Sequence, residues 1–340
     1  MRQNKRRILA LDGGGIKGAF AAAFLETIEE ASGKRIADHF DLIAGTSTGG
    51  IIALGLGLGM SAKEISQFYV NDGPRIFDQI NPLDSNSLAS RISAWFRAKG
   101  NSSKQLATTK YGSSELRKAL ERAFQTKRLG DSKVRLIVPA YHADKEDVYV
   151  FKTRHHPRLQ VDWMESAVNV ALATSAAPTY FAAHPLPSGA PLIDGGIWAN
   201  NPAGLAAVEA RSVLGWKDDE LYIVRLGCTE EALDIPLDAG YAGLLLKSTA
   251  LFMQGQSRGS DGTAMLLSDH RQESPHYFPF QPQVPTGKFK LDNVEMISRL
   301  RGLGAAHGRE ALPLFEKYFL HEKAQAFVPI TNQSNSCEAK

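Results

Sequence analysis

Cysteine is scarce in this 340-residue chain, with Cys228 and Cys337 its two thiols. They allow at most one bridge, and Cys337 sits in a polar tail. A disulfide scaffold and a cysteine-rich zinc site are therefore excluded, and a reducing compartment is the expectation. A charge surplus of one sign is lacking too. Lys plus Arg number 39 against 36 Asp plus Glu, a net +3 with histidine neutral. That is too little for the concentrated basic face of a nucleic-acid binder, yet it favours an anionic membrane surface. The longest apolar run, Gly49 to Met60, covers about half of the roughly 20 residues that a helical membrane span needs. The basic start, Met1 to Arg7, leads into Ile8–Asp12 and then glycines rather than an apolar segment with a cleavage site, so no export signal is read there. What is present, 43% hydrophobic and 22% charged residues, is the composition of a folded globule with a sizeable core.

Along the chain, Arg7 to Asp12 is a short apolar run closed by Gly13, Gly14 and Gly15, and Ala19 to Ile28 then carries apolar residues at helical spacing. This reads as strand, tight loop, helix. The pattern repeats with a strand over Phe40–Thr46, a turn at Ser47 and a helix over Thr48–Leu58. Two such units predict a parallel α/β sheet. Later strands are expected at Val134–Tyr141, Val148–Lys152 and Leu221–Gly227, and a helix at Glu165–Thr174. Asn201 and Pro202 form a cap and first-turn pair for a helix running to about Val213. Between Asn71 and Tyr111 the periodicity gives way to Pro, Asn, Ser and Gly with scattered Trp95 and Phe96, which predicts a lid-like insertion. Helical spacing returns over Asp292–Lys323, and 331–340 reads as a flexible polar tail. One domain over 7–320 is the expectation.

The chemistry concentrates in three places. Asp12-Gly-Gly-Gly-Ile-Lys-Gly18 satisfies GxGxxG literally, but the dinucleotide reading needs an acid at the end of the next strand, where Ala44-Gly45-Thr46 has none. Backbone N–H groups at a helix start stabilise negative charge, either a phosphate or a developing oxyanion. Gly45-Thr-Ser-Thr-Gly49 is GxSxG at a strand-to-helix turn, where Ser47 stands on an elbow that requires small neighbours at Gly45 and Gly49. A serine hydroxyl needs a base. Leu192-Ile-Asp194-Gly195-Gly196 supplies one: a carboxylate followed by two glycines that permit close backbone approach. Asp194 alone, in a partly desolvated site, is one arrangement. A triad through His270, His276, His307 or His321 is the other, while His155-His156 reads as a surface loop. Lys17 either assists a lipid phosphate or caps the helix and pairs on the surface. Trp95 and Phe96 with Arg91, Arg97 and Lys99 form either an interfacial face or a folded-back patch.

These three motifs in this order, with Ala173-Thr-Ser-Ala-Ala-Pro-Thr-Tyr-Phe181 ahead of the aspartate, resemble the patatin-like phospholipases over about residues 7 to 230. The resemblance implies a three-layer α/β/α fold with a mostly parallel central sheet and a catalytic Ser47–Asp194 dyad. It also implies an oxyanion hole at Gly13, Gly14 and Gly15. Lys17 stands where the family more often has Arg, which keeps the charge and loses a planar bidentate donor. Asn200-Asn-Pro-Ala203 and the chain's length are similar to the cytoplasmic bacterial branch, some of whose members degrade membranes in anti-phage defence when a cyclic oligonucleotide switches them on. The resemblance thus implies a phospholipid substrate at the inner membrane surface, a peripheral cytoplasmic location, a cyclic dinucleotide activator, no cofactor, no metal and no nucleic-acid polymer as partner. It is compatible with a homo-oligomer. A constitutive acyl hydrolase, a nucleotide-binding module and a silent scaffold are the rival readings. The basic residues Lys104, Lys110, Lys247, Arg258 and Arg271 lie where control of access to Ser47 is expected.

Overall fold

Burial on both sides of the first strand sets the architecture. In β1 (Arg6–Leu11) every residue after Arg6 is buried, with Ile8 and Ala10 in one apolar cluster and Leu9 and Leu11 in another. A strand covered on both faces belongs in the middle of a sheet layered with helices. The computed structural model describes residues 5–77, 113–178, 180–231, 241–268, 275–284 and 293–330. In it β1 pairs in parallel with β2 (Leu42–Gly45) on one side, and with a later strand of the same direction on the other.

The remaining elements, in chain order, are α1 (Gly18–Ser32), α2 (Thr48–Gly57), α3 (Ala62–Asn71), the short α4 (Gly73–Phe77) and α5 (Ser113–Phe124). Next come β3 (Arg135–His142), β4 (Asp147–Lys152), α6 (Ala167–Thr174), β5 (His184–Pro185) and β6 (Pro191–Asp194). They are followed by α7 (Gly196–Ala199), α8 (Ala203–Ser212), β7 (Leu221–Leu226), β8 (Glu230–Glu231) and α9 (Tyr241–Leu267). Last are β9 (Tyr277–Phe280), β10 (Gln283–Val284) and α10 (Ile297–Tyr318). The main sheet runs β5-β6-β3-β2-β1-β7-β9, with β4 also on β3, while β8 and β10 form a separate pair. The centre from β3 to β9 is parallel, and β4, β6 and β5 are antiparallel additions. Helices α1, α2 and α10 cover the face of Leu9, Leu11 and Ile43. The alanines 203, 206, 207 and 210 of α8 cover the face of Ile8, Ala10, Leu42 and Ala44. This is the expected three-layer α/β/α arrangement.

One register detail positions the site. Ile137 on β3 pairs with Ala44 of β2 and also with Lys152 of β4, and Ala140 pairs with Asp194 of β6 and also with Tyr149 of β4. A strand has two edges. With β4 occupying one of them throughout, β2 and β6 must share the other, end to end and pointing toward each other. The gap between their C-terminal ends is where the chain turns at Ser47.

Two local readings are adjusted. The expected Asn201–Pro202 helix start shifts by one, since α8 begins at Ala203 after Pro202, and the Asn201 side chain accepts from the Ala203 N–H at 3.0 Å. The C-terminal helix is shorter than Asp292–Lys323, with a 3₁₀ turn over Val294–Met296 before α10. Of the expected insertion 71–111, residues 73–77 form α4, and 78–111 lie outside the described residues. So do the polar tail 331–340, Cys337, Trp95, Phe96, Lys104, Lys110, His270, Arg271 and the side chain of Lys247. Among the described residues no helix is long and apolar enough to cross a membrane.

Candidate active site

Ser47 sits between the end of β2 and the start of α2 with φ 54° and ψ −121°, a left-handed conformation rare for a side-chain-bearing residue. The flanking glycines make that turn sterically feasible. A Cβ on Gly45 would lie 2.1 Å from the Gly49 carbonyl oxygen, and one on Gly49 2.2 Å from the Leu11 carbonyl oxygen. The turn is tied from behind. Ser47 donates its N–H to Thr174 Oγ1 at 2.9 Å, and that hydroxyl donates in turn to the Pro139 carbonyl at 2.6 Å. The Thr46 hydroxyl reaches the Ala199 carbonyl at 2.6 Å. Strain at one residue, held by neighbours from β3, α6 and α7, presents the Oγ at the N-terminus of α2.

Across the gap, β6 delivers Asp194. Ser47 Oγ donates to Asp194 Oδ2 at 2.6 Å, and the other carboxylate oxygen accepts the Gly196 N–H at 2.6 Å. Gly195 lies so close to β3 that a Cβ there would meet the Pro139 carbonyl oxygen at 2.4 Å. Asp194 is 5% exposed and makes no ion pair among the described residues. Burial pushes its pKa up to about 6, opposed by the hydrogen bonds from Ser47 and Gly196. A carboxylate so placed is ionised near neutrality and more basic than an exposed one, as proton abstraction from a hydroxyl demands.

The glycine loop lies on the other side of Ser47, but its three residues differ. The Gly13 N–H donates to the Asn200 carbonyl at 3.0 Å and is occupied. Gly14 and Gly15 are the loop amides without a partner among the described residues. Gly14 must lack a side chain, since a Cβ there would stand 2.3 Å from Cys228 Sγ. Burial holds that thiol protonated, with its pKa pushed up to about 12. Lys17 lies inside the protein rather than on its surface. It donates to the Thr229 carbonyl at 3.4 Å.

The histidines divide differently from expectation. His276 lies against the Tyr222 ring, His307 faces Phe20 and Glu310, and His321 pairs with Glu322. None of these lines the cavity around Ser47. His155 is not in a surface loop: it is buried between Thr153 Oγ1 and Glu209, each at 2.9 Å, with its pKa lowered chiefly by burial. Among the described residues no group of three His, Cys, Asp or Glu is placed to hold a metal ion.

Sequence reasoning missed Arg225. It lies inside the apolar strand β7, 3% exposed, and forks onto both oxygens of Asp12, the residue that opens the glycine loop. The same guanidinium reaches Asp261 of α9 at 2.9 Å and Ser257 Oγ at 2.9 Å. Burial works against its charge, but Asp12 and Asp261 outweigh burial and hold its pKa above the ordinary arginine value. Asn201 also donates to Asp261, at 2.7 Å. A lone arginine in a central strand is a signal that buried carboxylates must converge on it. With Asp12 so engaged, the loop offers no acid to a ribose.

The cavity over Ser47 measures about 380 Å³, and its wall includes Ser47, Asp194 and all three loop glycines. The rest is largely apolar, including Ile51, Phe68, Ile76, Phe181 and Phe252. A hydrocarbon chain matches that surface.

Comparison with known proteins adds four findings. The family model described as patatin-like phospholipase matches residues 9–207. The chain is 37% identical over 214 residues, 63% of its own length and 59% of the relative's, to a cGAMP-activated phospholipase of Pseudomonas aeruginosa strain BWHPSA011 / Pa011. It is 33% identical over 238 residues, 66% and 62% of the two lengths, to a cGAMP-activated phospholipase of Escherichia coli strain TW11681. A plant relative, patatin-like protein 1 of Oryza sativa subsp. indica, is 32% identical over 258 residues, covering 68% of this chain and 58% of that one. The chain thus spans about three fifths of the length of the curated relatives it matches.

Proposed function

The chain belongs to the patatin-like phospholipases, and from that membership we propose that it hydrolyses fatty acyl esters of membrane phospholipids with Ser47 as nucleophile and Asp194 as base. The observation that carries the reading is the 2.6 Å contact between Ser47 Oγ and Asp194 Oδ2, in an apolar cavity that no described histidine lines. Asp194 takes the hydroxyl proton as Oγ attacks the ester carbonyl. The oxyanion that forms is met by the free amides of Gly14 and Gly15, and the positive end of α2 lies beneath it. Collapse returns the proton from Asp194 to the departing alcohol and leaves an acyl-serine. Asp194 then takes a proton from water as it attacks the acyl carbonyl, and passes that proton to Oγ as the acyl–Oγ bond breaks, which frees the fatty acid and restores Ser47.

Activation by a cyclic dinucleotide is the regulatory part of the proposal. It is supported by the names of the two bacterial relatives, and the same proposal has the working enzyme act at the inner membrane surface. The test is turnover of a fluorogenic ester and of phosphatidylglycerol vesicles with and without cGAMP. An initial rate that rises about 10²-fold on adding cGAMP is the expected result, as for a resting population about 1% competent. Full turnover without nucleotide leaves the constitutive acyl hydrolase. No turnover of either ester under both conditions removes the hydrolase itself.

A further inference from the structure

A second cavity of about 350 Å³ abuts the first, and Leu116, Ser175 and Phe181 belong to the walls of both. Its character is different. Arg117 of α5, Asn169 of α6 and His184 of β5 line it, where the first cavity is apolar. These groups are ordered among themselves. The Asn169 amide donates to Glu165 Oε1 at 2.8 Å, so its carbonyl oxygen accepts from His184 Nε2 at 3.2 Å. Burial lowers the His184 pKa to about 4; Arg117 adds to that effect and Glu165 opposes it, so the imidazole is neutral and Arg117 carries the cationic charge facing it. Arg117 makes a 3.8 Å pair with Glu121 between two half-exposed side chains, a contact weak enough to yield to a better anion.

The shared wall holds a further sign of an absent partner. Ser175 is 7% exposed, and its Oγ has no hydrogen-bond partner among the described residues. Buried hydroxyls are almost always satisfied, because leaving one unpaired is unfavourable. In a glycerophospholipid the phosphate and both acyl esters hang from one three-carbon glycerol, within one or two carbons of each other. A site for the anion must therefore adjoin the site for the ester, which is the relation between these two cavities.

We propose that the second cavity receives the phosphodiester of the lipid whose ester is presented to Ser47, with Arg117 as its counter-charge and the Ser175 hydroxyl as a neutral donor in the common wall. This rests on the hydrolase reading above and names the part of the substrate that the catalytic cavity leaves unrecognised.

The test compares phosphatidylglycerol with a diacylglycerol of the same acyl chains in mixed micelles, with cGAMP present. Arg117→Gln is expected to lower the ratio of kcat/KM for phospholipid over diacylglycerol about tenfold, through KM, with Arg117→Lys recovering part of it. Ser175→Ala is expected to lower the same ratio by about threefold. An equal fall for both substrates, or no fall, overturns the proposal. A ratio that holds while Arg117→Gln abolishes the response to cGAMP would assign the cavity to nucleotide phosphates and overturn it as well. A wild-type protein that cleaves neither lipid overturns the hydrolase reading instead, and this proposal with it.

Discussion

Asp12 and Asp194 each close an apolar strand, each precede a run of glycines, and each are about 95% buried. Burial raises the proton affinity of both. Their partners separate them. Asp12 is gripped by the guanidinium of Arg225, so its charge is spent holding the start of the glycine loop to β7 and α9. Asp194 has a hydroxyl and one backbone amide. A buried carboxylate that faces a cation is a strut; one that faces a hydroxyl has that hydroxyl's proton within reach. On the proposed mechanism the difference between scaffold and base lies in what stands opposite.

Neutralising each carboxylate in turn should therefore give opposite results. Asp194→Asn is expected to lower ester hydrolysis by about 10³-fold or more, as is Ser47→Ala, while the melting temperature does not fall. A variant that retains turnover would break the contrast at its catalytic end. Asp12→Asn leaves Arg225 with half of its counter-charge, and a stability loss of about 3–5 kcal/mol in urea titration is expected. An unchanged midpoint would break it at the structural end. Gly14→Val forces a side chain into Cys228 and displaces a free loop amide, so kcat is expected to fall about 10²-fold. The smallest effect is on pH. With Asp194 titrating at about 6, kcat/KM should rise roughly tenfold from about pH 5 to about pH 7 and then level off. Stability runs the other way. A carboxyl whose pKa is raised by folding stabilises the native state below its unfolded value near 4, and that contribution is lost as pH rises through about 6. Activity should appear as this stabilisation disappears.

The elements that position Ser47 were legible because their signals are local. An apolar run ending in glycines and a GxSxG turn encode a buried strand and an elbow within a dozen residues. The reversed direction of β6 was not legible, since four residues from Pro191 to Asp194 read the same either way. Gly13 and Gly14 are equivalent in sequence, and Asn200, far along the chain, decides which amide stays free. His155 looked exposed among polar neighbours and is buried by Glu209, 54 residues later. Arg225 was visible inside Leu221–Gly227, but its carboxylates come from 213 residues before it and 36 after.

The head-on meeting of β2 and β6 along one edge of β3 has a consequence for how the molecule is made. Ser47 and its carboxylate are 147 residues apart, and the strand that carries the carboxylate adds to an edge that β3 must first provide. During synthesis at about 5–20 residues per second, the proposed nucleophile precedes the proposed base by roughly 7 to 30 seconds. A nascent chain in that interval contains the residues of the elbow and the glycine loop but neither Asp194 nor Ala199 and Asn200, which help to hold them. On the proposed mechanism, the order of translation itself keeps the half-made protein chemically inert.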